Sequence, residues 1–192
     1  MILAALIIIG LATYIVYKNG PEGSAEIPNL VLLAEPKSLS YGMLRTTDGR
    51  PFNQDVLKGR WSFLFFGFTS CPDICPVTMS VMGEADRSLG MNTFQGIMVS
   101  VDPERDTQER LEKYVKAFSE NFLGVIGAPL ETRTFSGSLG IAQAKMYSSK
   151  EDYTVNHSGH IVVINPNAEH VGYIAKPQSA DLIADVFKGL AR

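Results

Sequence analysis

The chain has 192 residues, which favours one folded domain with room for an anchor or a tail. Its composition, 45% hydrophobic and 19% charged, is typical of a globular protein and excludes a disordered chain. The formal net charge of −3, with no clustered basic residues, argues against nucleic-acid binding, and two cysteines are too few for a disulfide framework.

The first 17 residues form an apolar run without charge or proline, which Lys18 ends. As a helix this run would be about 25 Å long, slightly short of a bilayer core. It predicts an uncleaved transmembrane signal anchor over residues 1–18. One alternative is a signal peptide cleaved near the small residues Gly23-Ser24-Ala25. The other is a buried core helix, which would normally show a polar stripe that this run lacks.

Residues 19–29, which contain prolines, glycines and acids, predict a linker, and residues 30–192 predict the folded domain. The apolar run from Trp61 to Phe68 predicts a buried central strand. Early alternation of strands and helices, followed by a late hairpin, predicts an α/β fold with a mixed, thioredoxin-like sheet flanked by helices. The further predicted elements are a helix over 77–89, a strand over 97–101, a helix from 107 capped by Asp106 or Thr107, a strand over 123–126, a helix over 131–139, strands over 145–149, 160–165 and 170–175, and a last helix capped by Ser179.

The two cysteines, Cys71 and Cys75, lie between the central strand and the next helix, where ligand sites cluster in open α/β sheets. Pro76 suits the first helical position and disfavours helical geometry at the preceding residue. We therefore expect Cys75 to cap the helix and Cys71 to lie on the loop, with the helix dipole favouring both thiolates. The two sulfurs can form a disulfide or hold a soft monovalent metal, and a third alternative is a pair of inert buried thiols.

Of the three histidines, His157 lies in a polar loop that approaches the cysteine loop in a thioredoxin-like sheet. Two thiolates and one imidazole suit Cu(I), and the imidazole extends the site to Cu(II). Structural zinc would normally recruit a fourth protein ligand, for which His160 is available. We expect His160 to pack or cap locally and His170 to be exposed.

Three segments, taken in order, resemble the Sco/SenC family of copper-handling, thioredoxin-like proteins. They are Phe-Gly-Phe-Thr-Ser-Cys-Pro-Asp-Ile-Cys-Pro at 66–76, Val-Ser-Val-Asp-Pro-Glu-Arg-Asp-Thr at 99–107 and Asp-Tyr-Thr-Val-Asn-His-Ser at 152–158. The resemblance runs from about Phe63 to the C-terminus. Two positions depart from the commoner family pattern: Ser70 replaces a histidine and Asn156 an aspartate, changes that can alter metal affinity or redox potential without removing a ligand.

The resemblance implies a copper site formed by Cys71, Cys75 and His157, with Asp102 as a supporting residue, and we expect Asp73 to support the ligands as well. It also implies a role in assembling the binuclear copper centre of cytochrome c oxidase, by delivering copper to the copper-receiving subunit or by reducing its cysteines.

Two alternatives on the same fold remain. One is a thiol–disulfide oxidoreductase without a role in metal delivery, in which Cys71 and Cys75 act as a redox pair. The other is a peroxiredoxin-like peroxidase, but Phe68 and Leu64 occupy positions where those enzymes usually carry threonine and proline. Copper and disulfide chemistry suit an oxidising compartment, so we expect a single-pass protein of a bacterial plasma membrane with its domain on the periplasmic side.

Overall fold

The computed structural model describes residues 27–149 and 152–191. The predicted anchor over residues 1–18 and most of the predicted linker over residues 19–29 lie outside these ranges. Within them, no helix has the length and apolar character that a bilayer span requires. In chain order the elements are β1 (Leu30–Ser38), β2 (Arg45–Thr46), α1 (Gln54–Leu57), β3 (Ser62–Gly67), α2 (Ile74–Ser88), β4 (Gln95–Ser100), α3 (Gln108–Lys116), β5 (Leu123–Ile126), α4 (Pro129–Ser138), β6 (Gln143–Tyr147), β7 (Tyr153–His157), β8 (Ile161–Ile164), β9 (Glu169–Ile174) and α5 (Ala180–Leu190).

Seven strands form one mixed sheet in the order β1-β9-β8-β3-β4-β5-β2. β3, β4 and β5 run parallel, whereas β8, β9, β1 and β2 run antiparallel to the strands beside them. Every residue of β3, β4 and β8 is buried, which explains why these segments are mostly apolar. With α2 packed on α5 and α3 packed on β5, the predicted mixed sheet flanked by helices is confirmed.

The helix after the cysteine loop begins earlier than we predicted. α2 starts at Ile74, with Asp73 at the capping position, so Cys75 and Pro76 both lie in its first turn. The prediction that Cys75 caps this helix is therefore wrong. Pro76 is tolerated there because N–H groups of the first turn have no partner within the helix, so a missing donor costs nothing.

Two other expectations are corrected by strand pairing. The segment before His160, predicted as a polar loop, is the strand β7, which pairs antiparallel with β6 in a separate two-stranded sheet. His170, predicted to be exposed, is 2% exposed because β9 lies between β8 and β1. Its Nε2–H donates to the Gly172 carbonyl at 3.2 Å.

Side chains cap the helices after β4 and β9 as the sequence predicted. Thr107 Oγ1 accepts from the Arg110 N–H at 3.1 Å and Ser179 Oγ accepts from the Leu182 N–H at 3.2 Å. Of the two candidates before α3, Thr107 is the cap, which leaves Asp106 for another role. Because β3 and β4 run parallel, both end at the same edge of the sheet, and the cysteine loop and Asp106 follow them there.

Candidate metal centre

The cysteine loop, residues 68–73, follows the end of β3, where Gly67 allows the Cys75 sulfur to pack against the strand. A Cβ atom at Gly67 would lie 3.0 Å from Cys75 Sγ, so a larger residue would press on that sulfur. The Cys71 N–H donates to the Phe68 carbonyl at 3.2 Å, which closes a turn in the loop. Both cysteines are free thiols, Cys75 being buried and Cys71 half-buried.

The imidazole of His157 reaches the cysteines from the end of β7. Its Nε2 lies 3.5 Å from Cys75 Sγ, and its Nδ1 lies 3.0 Å from the Ser158 carbonyl oxygen. Because a carbonyl only accepts, Nδ1 carries the proton, and in the neutral ring the lone pair of Nε2 points towards the sulfur. A backbone partner on the other ring nitrogen is the usual way that proteins orient a histidine ligand.

The structure brings the three predicted ligands together. The ligand atoms of Cys71, Cys75 and His157 all lie within 4.8 Å of one another, and no other group of this kind occurs among the described residues. Two soft sulfur donors and one imidazole nitrogen fit copper, whereas structural zinc sites normally have four protein ligands. His160 is exposed and His170 is buried beside Gly172, and neither belongs to this group.

Burial controls the protonation of the site. It raises the pKa of the Cys75 thiol, contact with Cys71 raises it further, and the Phe68 backbone N–H acts in the opposite direction. The expectation that the helix dipole favours a thiolate is therefore wrong for Cys75, because desolvation of the sulfur outweighs it. Burial also lowers the pKa of His157 against the opposing effect of the Ser158 carbonyl, so the ring is neutral at pH 7 and able to bind a metal.

Asp106 holds the cysteine loop, a role that the sequence reasoning missed. Its buried carboxylate accepts from Thr69 Oγ1 at 2.5 Å, from the Thr69 N–H at 3.2 Å and from Ser100 Oγ at 2.6 Å. These bonds join the segment before Cys71 to the end of β4. The sequence carried one signal of this role: Thr107 can cap α3 by itself, so the neighbouring acid Asp106 is free to bond elsewhere.

The other predicted supporting residues lie in different environments. Asp102 is fully buried, and its carboxylate accepts from the Tyr153 hydroxyl at 2.7 Å and from Arg105 Nε. Asp73 is exposed at the capping position of α2 and makes no side-chain cap bond. Ser70 Oγ accepts from Arg110 at 3.1 Å, and Asn156 lies on β7, so both positions that depart from the family pattern carry exposed side chains.

A dithiol loop at the edge of a mixed sheet, completed by a histidine from a later hairpin, defines a thioredoxin-like protein with a candidate soft-metal site. The chain belongs to the SCO1/SenC family, whose family model matches residues 40–192. It is 34% identical over 156 residues to a putative copper-binding protein of Stutzerimonas stutzeri, an alignment that covers 80% of this chain and 76% of the relative.

Solved structures agree with this membership. Apo Sco1 from Thermus thermophilus has a TM-score of 0.75 and 31% identity, covering 84% of this chain and 96% of that one. Arabidopsis thaliana ScoI, solved with copper bound, has a TM-score of 0.69 and 31% identity, covering 82% of this chain and 97% of that one. The thioredoxin-like fold is therefore shown by both the arrangement of strands and the similarity to Sco structures.

Proposed function

We propose that this protein binds copper through Cys71, Cys75 and His157 and assists assembly of the binuclear copper centre of cytochrome c oxidase. The observation that carries the proposal is the convergence of two sulfurs and one imidazole nitrogen within 4.8 Å. Membership of the SCO1/SenC family and similarity to a Sco structure with copper bound support copper as the metal. In this proposal copper is the cargo, and the partner is the copper-receiving subunit of the oxidase.

The donor set suits both oxidation states of copper. Two thiolates satisfy Cu(I), which accepts few, soft ligands, while the imidazole adds the nitrogen donor that Cu(II) favours. Binding must displace the proton of Cys75, whose thiol pKa is raised by burial, so loading releases protons and strengthens with pH. The half-buried Cys71 offers the more accessible of the two sulfurs for transfer to a receiving site.

Copper titration tests this function. The reduced protein should bind one copper ion, and Cys71→Ser, Cys75→Ser and His157→Ala should each weaken retention. His160→Ala is the matched control, because His160 is an exposed histidine three residues after His157 that is not part of the three-ligand group. If His157→Ala binds Cu(II) with an unchanged affinity and spectrum, the three-ligand assignment is wrong.

Thiol reduction is a second candidate function, favoured by two free thiols whose sulfurs lie within 4.8 Å of each other. The dithiol would give two electrons and two protons to a target disulfide and become a disulfide between Cys71 and Cys75. A reduction potential near that of thioredoxin, about −270 mV, would suit such a reductant. Full activity of His157→Ala in disulfide reduction, combined with lost copper retention, would assign the two roles to different parts of the site.

We further propose that residues 1–18 anchor the protein in a bacterial plasma membrane, with the domain over residues 30–192 on the periplasmic side. The uncharged apolar run over residues 1–17 supports the anchor, and the chemistry of copper and disulfides supports the oxidising compartment. Resistance to carbonate extraction would indicate the anchor. Digestion of the domain by protease added outside the plasma membrane would indicate its orientation.

A further inference from the structure

Arg105 lies between the two parts of the chain that carry the ligands. Its guanidinium lies over the ring of Tyr153, with Cζ 4.0 Å from the ring centroid, and 5.7 Å from the centroid of Phe68. Tyr153 is the first residue of β7, the strand that ends at His157, whereas Phe68 lies in the cysteine loop. The Arg105 side chain therefore contacts both β7, which carries His157, and the cysteine loop.

Hydrogen bonds hold the Arg105 guanidinium in this position. Arg105 Nη1 donates to the Tyr153 carbonyl at 2.9 Å, and Arg105 Nε pairs with Asp102, which also accepts from the Tyr153 hydroxyl. The three residues therefore form a closed ring of contacts. Because the Asp102 carboxylate is fully buried, loss of either partner leaves an incompletely compensated charge inside the protein.

The histidine strand needs such support. Among the described strands β7 pairs only with β6, outside the seven-stranded sheet, and an isolated pair of strands is marginally stable in water. Apart from its short connection to β8 through residues 158–160, side-chain contacts hold β7 against the cysteine loop. His157 itself lies edge-on to Phe68, with ring centroids 6.0 Å apart, so the same aromatic ring contacts both Arg105 and the imidazole.

We propose that Arg105 and Tyr153 are positioning residues, which hold β7 so that Nε2 of His157 lies within reach of Cys75. They act on the imidazole and leave the two sulfurs in place, because the cysteine loop has its own bonds to Asp106. This inference rests on the proposed function in taking copper as the metal. We therefore expect a substitution of either residue to weaken the binding of Cu(II), which uses the imidazole, more than the binding of Cu(I), which two thiolates hold.

Arg105→Lys and Tyr153→Phe test the proposal. Lysine keeps the charge but lacks the planar guanidinium, which stacks on Tyr153 while donating from Nε to Asp102 and from Nη1 to the Tyr153 carbonyl. Phenylalanine keeps the ring but loses the bond to Asp102. Matched controls are Arg87→Lys, whose guanidinium donates to the Phe118 carbonyl, and Tyr147→Phe, an exposed tyrosine on the same hairpin. If Arg105→Lys does not fold, Tyr153→Phe alone decides.

The first measurement uses the reduced, metal-free protein. A nuclear Overhauser contact between the His157 and Phe68 ring protons should be present in the wild type and both controls, and weakened or lost in Arg105→Lys and Tyr153→Phe. The second measurement is copper affinity. Cu(II) retention should fall by about 10- to 100-fold in the two test variants, the range typical of residues that orient a metal ligand, with a smaller change for Cu(I).

The outcomes separate the positioning role from copper binding itself. Persistence of the ring contact in both folded test variants, with unchanged Cu(II) retention, would overturn the positioning role. An equal loss of Cu(I) and Cu(II) would also overturn it, because the sulfurs would then have moved. If the wild type binds no copper, the proposed function fails, and the ring contact in metal-free protein still decides whether Arg105 and Tyr153 place the imidazole.

Discussion

Replacing Gly67 with alanine should destabilise the protein and disturb the metal site together. The new Cβ would lie 2.8 Å from Phe65 Cε1, 3.0 Å from Cys75 Sγ and 3.2 Å from Met98 Cε. Phe65 and Met98 are fully buried, so neither can move into open space. Overpacking of this kind costs about 1–3 kcal/mol of unfolding free energy. Because His157 Nε2 lies 3.5 Å from the same sulfur, displacement of Cys75 should also weaken copper retention.

Gly137→Ala is the matched control for this prediction. Gly137 lies in α4, and nothing lies within 4 Å of a Cβ built there. The substitution should raise the unfolding free energy by about 0.5–1 kcal/mol, because alanine favours a helix over glycine. Urea denaturation of the reduced, metal-free proteins measures both changes. A Gly67→Ala protein as stable as the wild type would show that the end of β3 has room for a methyl group, contrary to the packing described above.

Two further predictions concern protonation. Iodoacetamide should modify Cys71 before Cys75 in the reduced protein, because Cys71 is half-buried whereas Cys75 is buried and its thiol pKa is raised. Peptide mass spectrometry measures the labelling of each cysteine, and equal labelling rates would contradict this prediction. Burial lowers the pKa of both His157 and His170, so below pH about 6.5 the unfolded chain binds protons that the folded protein does not. Stability should therefore fall as the pH drops from about 7 to 5, and His170→Gln should reduce that slope, which urea titrations at several pH values would measure.

The fold was largely predictable where local patterns are strong. The apolar segment over 61–68 predicts the central strand because a strand buried on both faces needs apolar residues on both. Ser179 predicts the start of α5 because its hydroxyl satisfies a free N–H. The edge strand β1 was not predicted, because most of its side chains are exposed and carry little apolar periodicity. The same weakness hid β7, whose pairing with β6 replaced the predicted loop.

The sequence by itself pointed to the candidate ligand set, because two cysteines beside prolines at the end of a buried strand offer paired sulfur donors and His157 lies in a segment that resembles the Sco/SenC family. The tertiary structure alone decided how those groups behave. Burial by residues far along the chain raised the pKa of the Cys75 thiol against the effect of the helix dipole. The pairing of β9 between β8 and β1 buried His170. Likewise Asp106 and Arg105 acquire their roles only when β4, β7 and the cysteine loop meet, since these contacts join residues 37 to 48 positions apart.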